Sequence, residues 1–456
     1  MVQAMTMSLY IVFMIGQWFM LGKEIDHRLK IFFKANSSLD RVVYRLLMGM
    51  TFFILYFNFL SLFPSKWIYN LFWVTWVLLG LFYSWPTRGK IIQESVSSNF
   101  YEFRFLDSFE KTLVGLIFLT LLVSMPMLPT LTNFGALKLF FDPTENIGLQ
   151  FWNFLEVNYY PFRSYPELYR LALSMHFYFV NMGLFLVCFY ALCRYFVSRR
   201  LSLLGVFALL SSWSFTKILS ADFGQSLVST YSLIFIWSVL WVTKSATYRS
   251  GLFVGVVGYL GTLINFSYAP LIAINVLLMH FVFLKDKTTW YKKQSFKYSL
   301  FGLCLVVAFT LTNHGFLEDL RPFNPVLWQQ FQTVFFRKGF NLLAIIGVLV
   351  LLIKYLKPNQ SLVKDFKIDR EKFNELLILL SVVLIFSVFI DYQLMNNFGL
   401  MWPIVLFALI PIELLFQSIS RLRSRRNMIY LIYIMICLLD SHFEGRVKIF
   451  ARLFDL

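Results

Sequence analysis

The sequence predicts an all-α polytopic membrane protein. Three observations carry that prediction: a chain 59% hydrophobic and only 14% charged, a succession of apolar runs each about 20 residues long, and basic residues that alternate from one connection to the next. A hydrocarbon core about 30 Å thick needs roughly 20 apolar residues per helix, and a spanning segment must satisfy its own backbone hydrogen bonds. Runs of this kind fall near 3–22, 43–63, 67–85, 112–128, 173–193, 201–219, 225–243, 250–267, 268–284, 298–313, 340–356, 374–391, 397–417 and 427–440. They predict about 12 to 14 transmembrane helices, of which 201–219, 268–284 and 427–440 carry the weakest hydropathy case for a full span.

The first run follows only MVQAM and lacks a basic flank or a small-residue cleavage pattern, so it reads as a retained helix. After it, the connections 23–42, 86–111, 194–200, 244–249, 285–297 and 357–372 with Lys354 at its edge, and the cluster Arg421, Arg423, Arg425 and Arg426, hold about 29 of the 41 Lys and Arg residues. The opposite connections hold far fewer, and Arg45 falls inside a span. The formal net charge of +17 is therefore a topology signal that places the rich loops in the cytoplasm. It gives no argument for a nucleic-acid partner.

Segment 357–375 mixes charges of both signs and reads as a solvated linker. Segment 91–111 spaces apolar and charged residues in a way that suits a helix lying at the membrane surface. The external connection 129–172 differs in kind. Its stretch 137-LKLFFDPTENIGLQFWNFLEVNYYPF-162 sets Asp142, Glu145 and Glu156 among aromatic rings, and Glu167 follows. Rings at this density favour the bilayer interface. The pattern predicts a short surface helix over 147–156 that Pro161 brings to an end, with its acids facing the headgroup layer.

No phosphate-binding glycine loop, dinucleotide fingerprint, nucleophile elbow or zinc-protease helix occurs. The five histidines form no i, i+4 pair and read as ordinary polar or core residues. The four cysteines lie in or beside apolar spans without CxxC spacing, which predicts neither a disulfide framework nor a zinc site. The acids are more informative. Asp142, Glu145, Glu156, Glu167, Asp222, Glu318, Asp319 and Asp391 all fall on the external side, where several carboxylates at a membrane boundary suggest a shared polar chamber. Arg163, Arg170, Lys217, Arg321, Arg337 and Lys338 are available to face them.

The run from Leu173 to Ile272 resembles the core of the membrane GT-C glycosyltransferases. The shared rhythm is a span ending at Arg199-Arg200, a short span, an external turn with Asp222, a span ending in a basic turn, and the Gly-rich span 251-GLFVGVVGYLGTL-263. The long acidic loop before this run matches by position. Family members commonly carry an adjacent acidic pair there, whereas this chain offers Asp142-Pro-Thr-Glu145, and three additional spans precede the loop. The resemblance implies a three-span segment 1–111, a GT-C-like core 112–313 with external loop 129–172, and a C-terminal part 314–456.

It also implies a chemistry. A sugar would pass from a polyprenyl-phosphate carrier to an external acceptor of unknown identity, with Asp142, and Glu145 second, as the base that takes the acceptor proton. Arg163, Arg170, Arg321, Arg337 and Lys338 would meet the departing phosphate, with Asp222 beside them. A divalent cation is compatible with so many acids, although no ligand spacing demands one. Paucity of glycosylation-type loops favours a bacterial inner membrane with the site facing the periplasm. Two other classes use the same residues: a transporter or flippase of a lipid-linked or anionic substrate, and a non-catalytic membrane subunit whose aromatic loop docks a protein partner.

Overall fold

Every element among the described residues is helical, the outcome expected of apolar chain that must pair its own backbone polar groups. The computed structural model describes residues 2–30, 38–60, 68–84, 105–124, 158–162, 164–211, 339–357, 401–419 and 425–440, with single positions at 230, 233, 234, 249, 253, 256, 257, 376 and 422.

Helix α1 (Val2–Leu29) runs past the end of its apolar stretch at residue 22. The added turns are polar and helix-compatible, and Arg28 Nε donates to Glu24 Oε1 at 2.7 Å one turn back. Helix α2 (Ser38–Leu60) packs antiparallel to α1. Two glycines set the closeness of this crossing. A Cβ on Gly22 would come within 2.6 Å of the Arg45 carbonyl carbon, and one on Gly49 within 2.5 Å of the Trp18 carbonyl carbon. Helix α3 (Ile68–Ser84) closes the group through aromatic packing, with Phe53 edge-on to Phe72 at 4.9 Å and to Trp76 at 4.3 Å.

Helix α4 spans Ser108–Ser124. A 3₁₀ turn follows at Tyr160–Phe162, and then one unbroken helical run. That run consists of α5 (Pro166–Met175), a π-wound turn His176–Asn181, and α6 (Met182–Phe196). At 1.5 Å per residue it is about 45 Å long, more than a hydrocarbon core requires. It begins earlier than the span expected at 173, so the last residues of the predicted loop 129–172 belong to a helix. Pro166 in its first turn and Glu167 beside it are the reason, since both suit a helix N-terminus.

Helix α7 (Arg199–Ser211) is buried on every side from Leu201 to Ser211. It is the centre of the C-terminal group, in contact with α4, α6, α9 (Met401–Ser418) and α10 (Arg426–Asp440). A helix apolar all round belongs in such a place. Helix α8 (Gly339–Leu356) packs tightly on α9. Pro411, inside α9, has no N–H to give the Phe407 carbonyl one turn back. Gly347 sits against that carbonyl, where a Cβ would also lie 3.3 Å from the Pro411 ring.

Large apolar side chains also point outward in stripes at helical spacing: Met5, Leu9 and Val12 on α1, Leu71, Val74 and Leu78 on α3, and Leu342, Ile346 and Leu349 on α8. A helix surface of this kind suits lipid rather than water. Among the described residues two segments, Met5–Leu29 and Phe179–Phe196, are long and apolar enough to cross a membrane, and Leu342–Leu356 and Trp402–Ser418 are shorter apolar helices. Spans expected over 225–313 and 374–391 lie outside the described residues apart from isolated helical positions.

Candidate functional site

Of the residues expected to do chemistry, Asp142, Glu145, Arg163, Asp222, Arg321, Arg337 and Lys338 lie outside the described residues, as does the surface helix expected over 147–156. Arg170 lies on α5. What the structure does describe is the place where the acid-bearing segment rejoins the helices.

That junction is Asn158–Phe162, and it is fastened to α1 and to the π-wound turn. Tyr10 of α1 donates its hydroxyl to the Asn158 carbonyl. The Tyr10 ring meets Phe162 edge-on at 4.9 Å and lies 5.9 Å from Tyr159. Tyr159 is fully buried, and its hydroxyl shares a hydrogen bond of 2.6 Å with Nδ1 of His176, also buried. Burying a phenol and an imidazole is costly unless each finds a partner, and these two find each other. Trp18 covers His176 edge-on at 6.2 Å between ring centres. At the other end of the same turn, Thr230 Oγ1 donates to the Asn181 carbonyl at 3.4 Å.

The opposite end of the bundle is a layer of charge. Asp107-Ser-Phe-Glu110 forms a reciprocal capping box at the start of α4: the Glu110 N–H donates to Asp107 Oδ1 at 2.8 Å, and the Asp107 N–H to Glu110 Oε2 at 3.0 Å. The same two acids hold the arginines that open α7. Arg199 donates from Nε to Glu110 Oε1 at 2.8 Å and from Nη2 to Glu110 Oε2 at 2.7 Å, and Nη2 also reaches the Phe105 carbonyl at 3.0 Å. Arg200 pairs with Asp107 and donates to Asn427 Oδ1 at 3.3 Å. Glu413 accepts the Ser198 N–H at 3.3 Å.

Two arginines in the first turn of a helix oppose its macrodipole, and three carboxylates around that turn offset them. Burial by itself would raise the Asp107 carboxyl, but the Glu110 N–H and the Arg200 guanidinium outweigh it and hold the group below its ordinary value. The hydrogen bonds that Arg199 donates to Glu110, together with the Glu110 charge, hold the guanidinium above its own ordinary value, against the opposing effect of burial.

The layer joins residues from connections 86–111 and 194–200 with Asn427, beside the basic cluster 421–426. A second contact, from Arg249 to the Leu29 carbonyl, joins 244–249 to 23–42. By their basic residues alone, all of these segments are expected on one side. Arg45, which the sequence leaves inside a span, donates to Asp26 Oδ2 at 3.2 Å, and Tyr44 donates to the same carboxylate. That partner appears only because α1 continues to Leu29.

The sequence reads His176 as an ordinary polar or core residue and Tyr159 as one of the loop rings at the bilayer interface, whereas Tyr159 is fully buried, and it gives no role to Tyr10 or the α4 capping box. The box had a readable signal in the Asp-x-x-Glu spacing before an apolar run. The Tyr159–His176 pair and the π winding had none. Among the described residues no group of three or more His, Cys, Asp or Glu gathers as a metal site, and Cys188, Cys193 and Cys437 are buried and outside any disulfide. Compared with protein-family models, curated proteins and solved structures, the chain matches none.

Proposed function

We propose that the protein is a polytopic membrane glycosyltransferase of the GT-C kind, with about 12 to 14 spans, that moves a sugar from a polyprenyl-phosphate carrier to an acceptor. The site faces the outer side of a bacterial inner membrane. Asp142 takes the acceptor proton, with Glu145 second. Arg163, Arg170, Arg321, Arg337 and Lys338 receive the phosphate charge near Asp222.

One observation carries the reading furthest. The segment bearing Asp142 and Glu145 ends in a junction fastened by half-buried Tyr10 and by the buried pair Tyr159 and His176, at the end of the 166–196 helical run opposite the arginine layer. A junction held in this way fixes where that segment rejoins the helices. The remainder of the support is the sequence rhythm over 173–272. A transporter or flippase of a lipid-linked substrate is the second reading, favoured by the π-wound turn, because rewindable helix turns serve moving proteins.

The test is sugar transfer in proteoliposomes from a panel of labelled polyprenyl-phosphate sugars, comparing wild type with Asp142→Asn and Glu145→Gln. A general base contributes about 10²- to 10⁴-fold, and Asp142→Asn loses transfer by that factor while the protein remains folded. Absence of transfer from every donor in the wild type, or full activity in Asp142→Asn, overturns the assignment.

A further inference from the structure

The turn His176–Asn181 is wound as a π-helix between two α-helical stretches of one run. Its hydrogen bonds reach five residues instead of four, so the turn holds one residue more than the α-helix on either side. Such a turn has poorer geometry than the α form, and it persists where surrounding contacts hold it.

Two such contacts bracket it. Tyr159 engages His176, its first residue, at 2.6 Å, and Thr230 engages the carbonyl of Asn181, its last, at 3.4 Å. Both turn residues are buried, and so are both partners. Tyr159 is itself fixed, because Tyr10 of α1 holds the flanking Asn158 and Phe162. One donor in this arrangement is unmet: among the described residues the Asn158 side-chain amide, 2% exposed, has no hydrogen-bond partner. A buried amide in that condition raises the free energy of this state relative to any other that satisfies it.

We propose that His176–Asn181 is a two-state joint, pinned in its π form by Tyr159 and Thr230. Rewinding it to α passes one residue through the turn. By the geometry of the α-helix this rotates α5 about 100° around its axis and shifts it about 1.5 Å along it, relative to α6. Tyr159 stays with α1 while His176 turns away, so the Tyr159–His176 bond and the rewound helix exclude each other. The rotation carries Glu167 and Arg170, both on α5, around the axis relative to the junction where the acid-bearing segment ends. The joint stands whether or not the protein transfers a sugar.

The experiment is a spin-label distance measurement on the full chain in lipid nanodiscs, with the native cysteines replaced and labels at Glu167→Cys on α5 and Val12→Cys on α1. Residue 167 is exposed, and Val12 is 66% exposed, so both accept a label. A 100° rotation at the radius of a helix surface displaces the α5 label by about 8 Å. Tyr159→Phe keeps the ring and removes the pin, and it raises the displaced population about fivefold, the ratio one buried hydrogen bond supports. Thr230→Val acts in the same direction. Deleting Phe179 removes the extra residue and leaves the displaced distance alone. A wild-type distribution in folded Tyr159→Phe with Thr230→Val overturns the proposal, and these two decide it even where the deletion fails to fold. The readout uses no sugar donor, so it and the transfer assay fail independently.

Discussion

Replacing Glu110 by Gln removes one charge from the layer where α4 meets α7 and changes little else. Glu110 accepts two hydrogen bonds from Arg199, at 2.8 and 2.7 Å, and one from the Asp107 N–H at 3.0 Å. Glutamine has one acceptor oxygen. With that oxygen in the Oε2 position it keeps the capping bond and the Arg199 Nη2 bond, and the Arg199 Nε bond is lost with the charge. A hydrogen bond to a charged group contributes about 1.5–3 kcal/mol, and removing one partner of a fully buried ion pair costs about 3–5 kcal/mol. The Glu110 side chain is 2% exposed and that of Arg199 28%, so water recovers part of the loss on the arginine side. The expected destabilisation is about 2–3 kcal/mol. It is read from reversible unfolding in mixed micelles, in a cycle with Arg199→Met and the double variant. A coupling energy of about 1.5 kcal/mol or more fits a clamp between α4 and α7. A coupling below about 0.5 kcal/mol, with Glu110→Gln as stable as wild type, refutes the reasoning.

Two further predictions concern the packing and the acid limb of stability. Gly22→Ala forces a Cβ into the Arg45 carbonyl and should cost about 1–3 kcal/mol in the same unfolding assay. Gly16→Ala on the same helix meets nothing within 4 Å and should be neutral or stabilising by up to about 1 kcal/mol. Asp107 has a folded pKa below its unfolded one, so its contribution is complete above the ordinary aspartate value near 3.9 and is lost as pH falls below that, through the depressed folded value. Asp107→Asn should therefore flatten the fall in stability on acidification, and an acid limb identical to wild type would contradict the pairing with Arg200.

The positions of the helices were legible because hydropathy reads the thickness of lipid, and α2, α3, α4, α8, α9 and α10 begin within about five residues of their apolar runs. Their lengths were less legible. Helix α1 continues to Leu29 because the Glu24–Arg28 pair and good helix formers outlast the apolar stretch. The run 166–196 starts early because Pro166 and Glu167 make a helix start inside a segment that composition marks as loop. The basic connections 86–111 and 194–200 do meet, through Asp107 and Arg200, with Asn427 beside them. Partners separated by many residues were not. The Asp26–Arg45 pair depends on the antiparallel register of two helices, and Tyr159–His176 on one extra residue in a turn, and neither leaves a period or motif in the chain. Of the candidate site, the acids and arginines were chosen by side and by resemblance, while the junction that fastens their segment came from the structure alone.

Everything in this account rests on the chain crossing a bilayer with the tyrosine junction on one side and the arginine layer on the other. The direct measurement is labelling of single cysteines by a membrane-impermeant maleimide in intact bacterial spheroplasts. Tyr165→Cys, at a site 63% exposed beside the junction, and Arg425→Cys, exposed beside the arginine layer, report the two ends. Position 165 is expected to react in intact spheroplasts, and position 425 only after permeabilisation. Reaction of both positions from the outside, or of 425 alone, would contradict it.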